Sequence, residues 1–117
     1  MRLTSLTLAV AGLAAALVST TALAQKKYDT GATDKEIKIG GISPYSGPAS
    51  AYGAIGKAIS AYFAKINEEG GIHGRKLNFI SLDDGYNPAK TVEQARKLVE
   101  EDEVLFVFNT QIGRAHV

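Results

Sequence analysis

The sequence predicts an α/β fold, a parallel βαβαβ sheet flanked by helices. Two observations support this class. Short apolar segments with the character of strands alternate along the chain with longer segments in which apolar residues recur every three or four positions. The segments between successive strands are long enough to cross over a sheet, so we expect parallel pairing with right-handed connections.

Three strands are predicted. Ile37 to Ile42 alternates apolar and polar residues before the chain reaches Pro44, and Leu77 to Leu82 is the second strand. The third, Val104 to Phe108, is an unbroken apolar run, which is typical of a strand covered on both faces. We therefore expect the third strand to be central in the sheet.

Two helices are predicted between these strands. From Ser50 onward, apolar residues recur at helical spacing, and this helix should end near Glu69 because two glycines follow. The second helix has Asn87 as its N-cap and Pro88 in its first turn, two residues that are typical of a helix start. The polar segment 25–36 is expected to form an N-terminal extension.

Residues 1–24 are predicted to be a signal peptide. They hold 16 apolar residues and a single charge, Arg2, and they end in Ala-Leu-Ala, small residues of the kind that signal peptidase recognises. The uncharged run of about 13 residues is shorter than the roughly 20 that a membrane-spanning helix needs, which speaks against a membrane anchor. We expect cleavage after Ala24 and export of the mature chain to the periplasm.

Composition excludes several classes of protein. The chain of 117 residues has no cysteine, which argues against a disulfide scaffold, a thiol enzyme and a cysteine-ligated zinc site. Lys and Arg number 13 against 12 for Asp and Glu, and removal of Arg2 leaves 12 of each. A neutral mature chain is not expected to bind nucleic acid. We also expect no metal and no cofactor.

The loops after the strands are suited to binding. Ligands of parallel sheets bind beyond the carboxyl ends of the strands. The loop from Ser43 to Gly53 offers hydroxyls and two tyrosines but no charge, and it leads into a helix N-terminus that attracts a carboxylate or carbonyl oxygen. For Tyr52 in this loop, helix packing and ligand contact both remain open. No nucleophile with a nearby base is visible, so no catalytic residue is predicted.

Asp83 and Asp84 follow the second strand and could form an acid pair or a metal site. Adjacent residues on an extended chain point to opposite faces, which does not favour a shared proton. We expect instead that one of them caps the second helix or orders the turn before Pro88.

Ile37 to Gly41 and four segments after it are similar to one known family, in which the Ser-Gly-Pro loop, the Asn-x-x-Gly-Gly-Ile-x-Gly turn and the Asp-x-x-x-Pro segment recur in the same order and at similar spacing. The four segments are SGPASAYG (Ser46 to Gly53), INEEGGIHGRKL (Ile66 to Leu77), LDDGYNP (Leu82 to Pro88) and KTVEQARKLVEEDEV (Lys90 to Val104). In them the chain resembles the leucine-binding-like, type I periplasmic solute-binding proteins of ABC importers. The resemblance implies a two-lobed α/β protein that closes on a small ligand, with residues 37–110 forming the start of the first lobe.

The resemblance also implies a function. Such a protein is not an enzyme but a monomeric receptor that delivers an amino acid, or a related small carboxylate or amide, to an ABC permease in the inner membrane. By position, Tyr52 corresponds to a residue that packs on the ligand side chain in some relatives. Asn109 and Thr110 lie where hydroxyls and amides hold the ligand carboxylate, and Ser46 of the Ser-Gly-Pro loop completes the predicted ligand-binding set.

Two other classes remain open at this point. The extracellular ligand-sensing domain of a signalling receptor is built in a similar way, and a transmembrane helix with a signalling module in the complete gene would favour it. An enzyme on an α/β fold would need a nucleophile or acid pair in another part of the protein, because the visible loops hold none.

The last seven residues, Gln111 to Val117, depart from the family pattern, which continues with Leu-Gly-Thr or a run rich in Ser and Thr. Ile112 to Val117 resemble the translation of a common sequencing adapter in one frame, and Gln111 is interpreted as a hybrid codon at the junction. We therefore expect 111–117 to be an artefact and the chain to be a fragment, which resequencing past Thr110 would test. Without the leader and this tail, 11 basic residues face 12 acidic ones.

Overall fold

The computed structural model describes residues 26–112, and the predicted signal peptide lies outside them. The elements are β1 (Glu36–Ser43), a 3-10 turn (Ser50–Tyr52), α1 (Gly53–Glu68), β2 (Lys76–Asp83), α2 (Pro88–Glu100) and β3 (Phe106–Val107). The predicted α/β class is confirmed. No helix in this part of the chain combines the length and the apolar composition that a membrane crossing requires.

The three strands form one parallel sheet in the order β2-β1-β3. β1 pairs with β2 along its whole length, from Glu36 opposite Lys76 to Ser43 opposite Asp83. Among the three described strands β1 is central, and β3, which was predicted to be central, pairs with it on one side over only two residues. The expected cover on both faces is not found within residues 26–112 either, since Phe106 and Phe108 are 47% and 43% exposed. An apolar run does not determine the order of the strands.

The helix α2 packs on one face of the sheet. Ile42 of β1 and Leu98 of α2 are fully buried, and Val104 packs beside them. Gly40 lies on this same face, and a Cβ on it would come within 3.0 Å of Cδ1 of Leu98. The absence of a side chain at Gly40 therefore lets α2 approach the central strand closely.

The helix α1 packs on the opposite face. Neighbouring residues of a strand point to opposite sides, so Gly41 faces away from α2. The Phe79 ring covers Gly41, where a Cβ would lie 2.4 Å from Cζ of that ring. Phe79 in turn meets Phe63 of α1 edge to face, with 5.3 Å between ring centroids. The sheet is thus covered by a helix on each face.

Both helices begin close to the predicted residues, and the first also ends close to its predicted end. The first starts as a 3-10 turn at Ser50 and becomes α-helical at Gly53, and Glu69 is its C-cap. At the start of α2, the Asn87 side chain accepts a hydrogen bond from the Lys90 N–H at 3.1 Å, which confirms Asn87 as the N-cap.

The described part of the N-terminal extension, 26–35, folds back on the sheet. Ala32 forms an antiparallel bridge with Ile37, and the Lys38 N–H donates to the Gly31 carbonyl at 2.8 Å. Gly31 has a φ of +84°, and a Cβ on it would lie 2.2 Å from the Leu105 nitrogen. Glycine is required here both by the left-handed backbone and by the close approach to the residues before β3.

The side of α1 next to Phe108 is open among the described residues. An apolar groove of about 450 Å³ runs along it, and we refer to it below as the α1 groove. Its lining residues are Ile55, Ala58, Ile59, Tyr62, Phe63 and Phe108. Tyr62 is 62% exposed, so this apolar helix face, predicted from its spacing, is only partly covered by residues 26–112.

Candidate functional site

The carboxyl ends of the three parallel strands meet at one edge of the sheet. In the order β2-β1-β3, the connection after β1 leads to one side of the sheet, whereas the connection after β2 leads back past β1 to β3 on the other side. Ligands of such sheets bind where the strand order reverses. Ser46 and Tyr52 follow β1, whereas Asn109 and Thr110 follow β3, and all four are exposed. The structure therefore places all four predicted ligand-binding residues at the same edge.

One carboxylate joins the loops after β1 and β2. Asp83, at the end of β2, accepts hydrogen bonds from the backbone N–H groups of Tyr45 (2.9 Å), Ser46 (3.2 Å) and Gly85 (2.9 Å). It also accepts one from the Ser46 hydroxyl at 2.5 Å. Pairing of Ser43 with Asp83 in the sheet register brings these groups together. Asp83 thus fixes the position of Ser46.

These donors lower the pKa of Asp83 from 3.8 to about 2, with the Ser46 hydroxyl as the largest cause and the Gly85 N–H next. The Lys90 Nζ, 4.0 Å from Asp83 Oδ2, adds a positive charge nearby. Since the carboxylate is ionised at neutral pH, it can only accept, so the Ser46 hydroxyl must be the donor. Ser46 Oγ is left with lone pairs, which match an ammonium, amide N–H or hydroxyl of a ligand rather than a carboxylate.

Asp84 has a separate role. Its carboxylate is fully buried and accepts hydrogen bonds from the Tyr86 N–H at 2.9 Å and the Thr91 hydroxyl at 2.6 Å. The prediction that one aspartate orders this turn is confirmed, and the helix cap is Asn87 instead. Asp83 and Asp84 have different partners and do not form an acid pair. Within residues 26–112, no group of three or more His, Asp or Glu side chains is placed to hold a metal ion.

The two tyrosines of the first loop differ in position. Tyr45 turns back to the sheet, where its hydroxyl hydrogen-bonds the Ser81 hydroxyl. Gly56 of α1 makes room for it, because a Cβ there would lie 2.1 Å from Tyr45 Oη. Tyr52 is 55% exposed, which argues against packing of this ring within the described core.

Tyr52 stacks on Tyr86 of the loop after β2. The ring centroids are 6.4 Å apart, the planes differ by 22°, and Tyr86 is itself 44% exposed. Sequence reasoning missed Tyr86 as a member of the site. The available signal was an aromatic residue in a short loop directly beyond the carboxyl end of a strand.

Asn109 and Thr110 come directly after the last sheet hydrogen bond of β3, which the Phe108 N–H donates to the Gly40 carbonyl at 2.8 Å. Asn109 has a φ of +54°, a left-handed conformation that asparagine tolerates better than most residues. β3 thus ends at Val107 and its sheet pairing continues through the Phe108 N–H, and the polar side chains begin directly after it.

An α/β lobe with exposed binding groups at the carboxyl edge of its sheet is typical of proteins that bind small solutes. A family model described as periplasmic binding protein matches residues 36–114. The chain belongs to this family. Its α/β sheet with flanking helices corresponds to the start of a type I periplasmic-binding-protein lobe.

Individual relatives agree with this assignment. The chain is 38% identical over 73 residues to a leucine-, isoleucine-, valine-, threonine- and alanine-binding protein of Pseudomonas aeruginosa, covering 61% of this chain and 19% of that protein. The structure of a branched-chain amino acid transporter substrate-binding protein from Streptococcus pneumoniae, in complex with isoleucine, matches with a TM-score of 0.60 at 30% identity, over 62% of this chain and 21% of that one.

A third relative binds a different ligand. The solute-binding protein of an ABC transporter from Rhodopseudomonas palustris, in complex with 3,4-dihydroxybenzoic acid, matches with a TM-score of 0.55 at 30% identity, over 62% of this chain and 20% of that one. The chain spans about a fifth of the length of the relatives it matches. These relatives are substrate-binding proteins and not enzymes.

Proposed function

We propose that the chain is the first part of a periplasmic receptor of an ABC importer. The receptor binds an amino acid, or a related small carboxylate or amide, in a cleft between two lobes. The observation that carries the proposal is the sheet edge at which Asp83 fixes Ser46 and at which the exposed ring of Tyr52 also lies. This edge offers polar and apolar contacts to a solute.

Each predicted residue is assigned a role in this cleft. Ser46 accepts a hydrogen bond from a ligand ammonium or amide, because its own hydroxyl hydrogen is already donated to Asp83 in a hydrogen bond. Tyr52 packs on the apolar part of the ligand. Asn109 and Thr110 donate to the ligand carboxylate. The second lobe supplies the remaining contacts, including an acidic partner for an ammonium group.

Transport in this proposal follows closure of the two lobes about a hinge, after which the monomeric receptor docks on an ABC permease in the inner membrane. Residues 1–24 direct export and are removed after Ala24. The named substrate-binding and amino-acid-binding relatives support the class of ligand and the link to import.

A thermal-shift panel on the complete mature protein tests the binding proposal. A ligand present at about 100 times its dissociation constant should add about 2.7 kcal/mol of stability. The L-amino acids, their amides and small carboxylates form the panel, and the D-isomers at equal concentration serve as controls. Absence of a shift with every compound would refute the receptor proposal.

Uptake measurements separate import from sensing. A strain that lacks the gene should lose accumulation of the radiolabelled compound that gives the largest thermal shift, and a plasmid copy should restore it. Full uptake in the deletion strain, together with tight binding in vitro, would contradict the importer role and favour an extracellular sensing domain.

A further inference from the structure

We infer that Tyr86 contacts the ligand and, with Tyr52, forms an aromatic wall of the cleft that favours ligands with a flat or bulky apolar group. The assignment of Tyr86 rests on the proposed receptor function. It adds a specificity-determining residue from the loop after β2 to the predicted set, which comes from the loops after β1 and β3.

The position of the ring supports this assignment. Tyr86 lies beyond the carboxyl end of β2, and its ring is 44% exposed beside that of Tyr52. An offset pair of nearly parallel rings presents a broad apolar surface, on which a further ring or a branched side chain can pack. Within residues 26–112 neither phenol oxygen has a hydrogen-bond partner, so both hydroxyls are also available to a ligand.

The backbone at Tyr86 gives a second, independent reason. Tyr86 has a φ of +61° and follows Gly85 at +56°, so two successive residues are left-handed. Turns of this kind favour Asn or Gly, and a bulky aromatic residue is a clear outlier in them. Asp84 holds the strained peptide by accepting the Tyr86 N–H. Folding alone therefore favours a smaller residue here, and the ring is outside the core that would otherwise explain it.

The test uses the complete mature protein and titration calorimetry with L-phenylalanine, L-leucine and L-alanine as probes. In Tyr86→Asn, the affinity for phenylalanine or leucine should fall about tenfold or more, because an aromatic contact is lost. The affinity for alanine, whose side chain is too short to cover the wall, should change by less than about threefold. Tyr86→Phe keeps the ring, so its affinity for each of the three probes should stay within about threefold of the wild-type value.

The melting temperature without ligand separates contact from a structural role. Tyr86→Asn should melt at the same temperature as the wild-type protein or higher, because asparagine tolerates the left-handed backbone. His73→Asn is the matched control, since His73 is exposed, has a φ of +51° and precedes β2 at the other end of the sheet. It should leave all affinities unchanged.

The outcomes are distinguishable. Equal affinities in Tyr86→Asn and the wild-type protein would overturn the role of Tyr86 and leave the receptor proposal intact. If Tyr86→Asn melts at a lower temperature and loses as much affinity for alanine as for phenylalanine, the ring has a structural role. That outcome would also overturn the ligand contact of Tyr86. A wild-type protein that binds only alanine would exclude the aromatic wall, and one that binds no probe would count against the receptor proposal itself.

Discussion

Asp83 is the single residue on which the geometry of the candidate site most depends. Its carboxylate accepts hydrogen bonds from three backbone N–H groups and one hydroxyl, and these donors belong to the loop after β1 and to the loop after β2. A carboxylate with several donors is stabilised in its charged form, which explains the lowered pKa. The charge of Asp83 therefore has a structural use, which is to hold Ser46 in place.

Replacement of Asp83 by asparagine should lower the melting temperature at pH 7, because the new NH₂ group cannot accept the Ser46 hydroxyl. The pKa of Asp83 is about 2 in the folded protein and 3.8 ordinarily. A lowered pKa stabilises the fold above the unfolded value, and this stabilisation is lost as the pH falls toward 2. The melting-temperature gap between the wild-type protein and Asp83→Asn should thus be constant from pH 8 to 5 and should narrow below pH 4.

Circular dichroism melts of the complete protein measure this gap. Asp29→Asn is the control, because the exposed Asp29 side chain makes none of the hydrogen bonds found among residues 26–112. Asp29→Asn should melt at the same temperature as the wild-type protein at every pH. A gap for Asp83→Asn that is as wide at pH 2.5 as at pH 7 would contradict the assigned role of the charge.

Only part of the site could be predicted at the residue scale. Residue types alone indicated a loop suited to binding and an aspartate that orders a turn. The bond between Ser46 and Asp83 joins residues 37 positions apart, and it depends on the parallel register of two strands. The left-handed φ of Tyr86 arises from the same turn. The bond between Ser46 and Asp83 cannot be inferred from a local pattern, because it depends on which strands become neighbours. The φ of Tyr86 was missed because the residue type gives no sign of it, since a bulky aromatic residue is unusual in a left-handed turn.

At the scale of elements, the N-terminal extension packs on the sheet only because position 31 has no side chain. Gly31→Ala should cost about 3 kcal/mol or more in the free energy of unfolding, since it adds a steric overlap with Leu105 to the cost of a left-handed φ. Gly74→Ala is a matched control. Gly74 has a similar φ of +78° with nothing within 4 Å of the added Cβ, so its cost should be about 1 kcal/mol.

Urea unfolding of the two variants of the complete protein measures the difference. The excess of Gly31→Ala over Gly74→Ala isolates the steric contribution, because both changes carry the same conformational cost. Equal losses in the two variants would show that the extension does not pack closely against the residues before β3.

The elements themselves were largely predictable. The Asn87-Pro88 start of α2 and the glycines after α1 are local signals, and the structure has both helix ends within a residue or so of the prediction. The position of the third strand was not predictable, because the order of the strands depends on the direction in which each crossover connection runs along the sheet, and the local sequence does not indicate that direction. The short β3 also shows that an apolar run in the sequence can be longer than the segment that pairs in the sheet.

At the scale of the whole molecule, the α1 groove leaves a large apolar surface uncovered by residues 26–112. A sheet of three strands with one helix on each face buries few side chains fully. We expect residues 25–117 alone to fold poorly, with a broad thermal transition and binding of an apolar dye such as ANS. A sharp, cooperative transition without dye binding would contradict this expectation, and the complete mature protein is the control.

In the proposed two-lobed receptor, the hydrogen-bond network around Asp83 would also affect how fast a solute is captured. Since the loop after β1 is already held by hydrogen bonds in the folded protein, binding does not have to order it and does not lose that conformational entropy. Encounter with the first lobe should then proceed at a rate set by diffusion and by lobe closure. Competing solutes will differ chiefly in how long they stay bound.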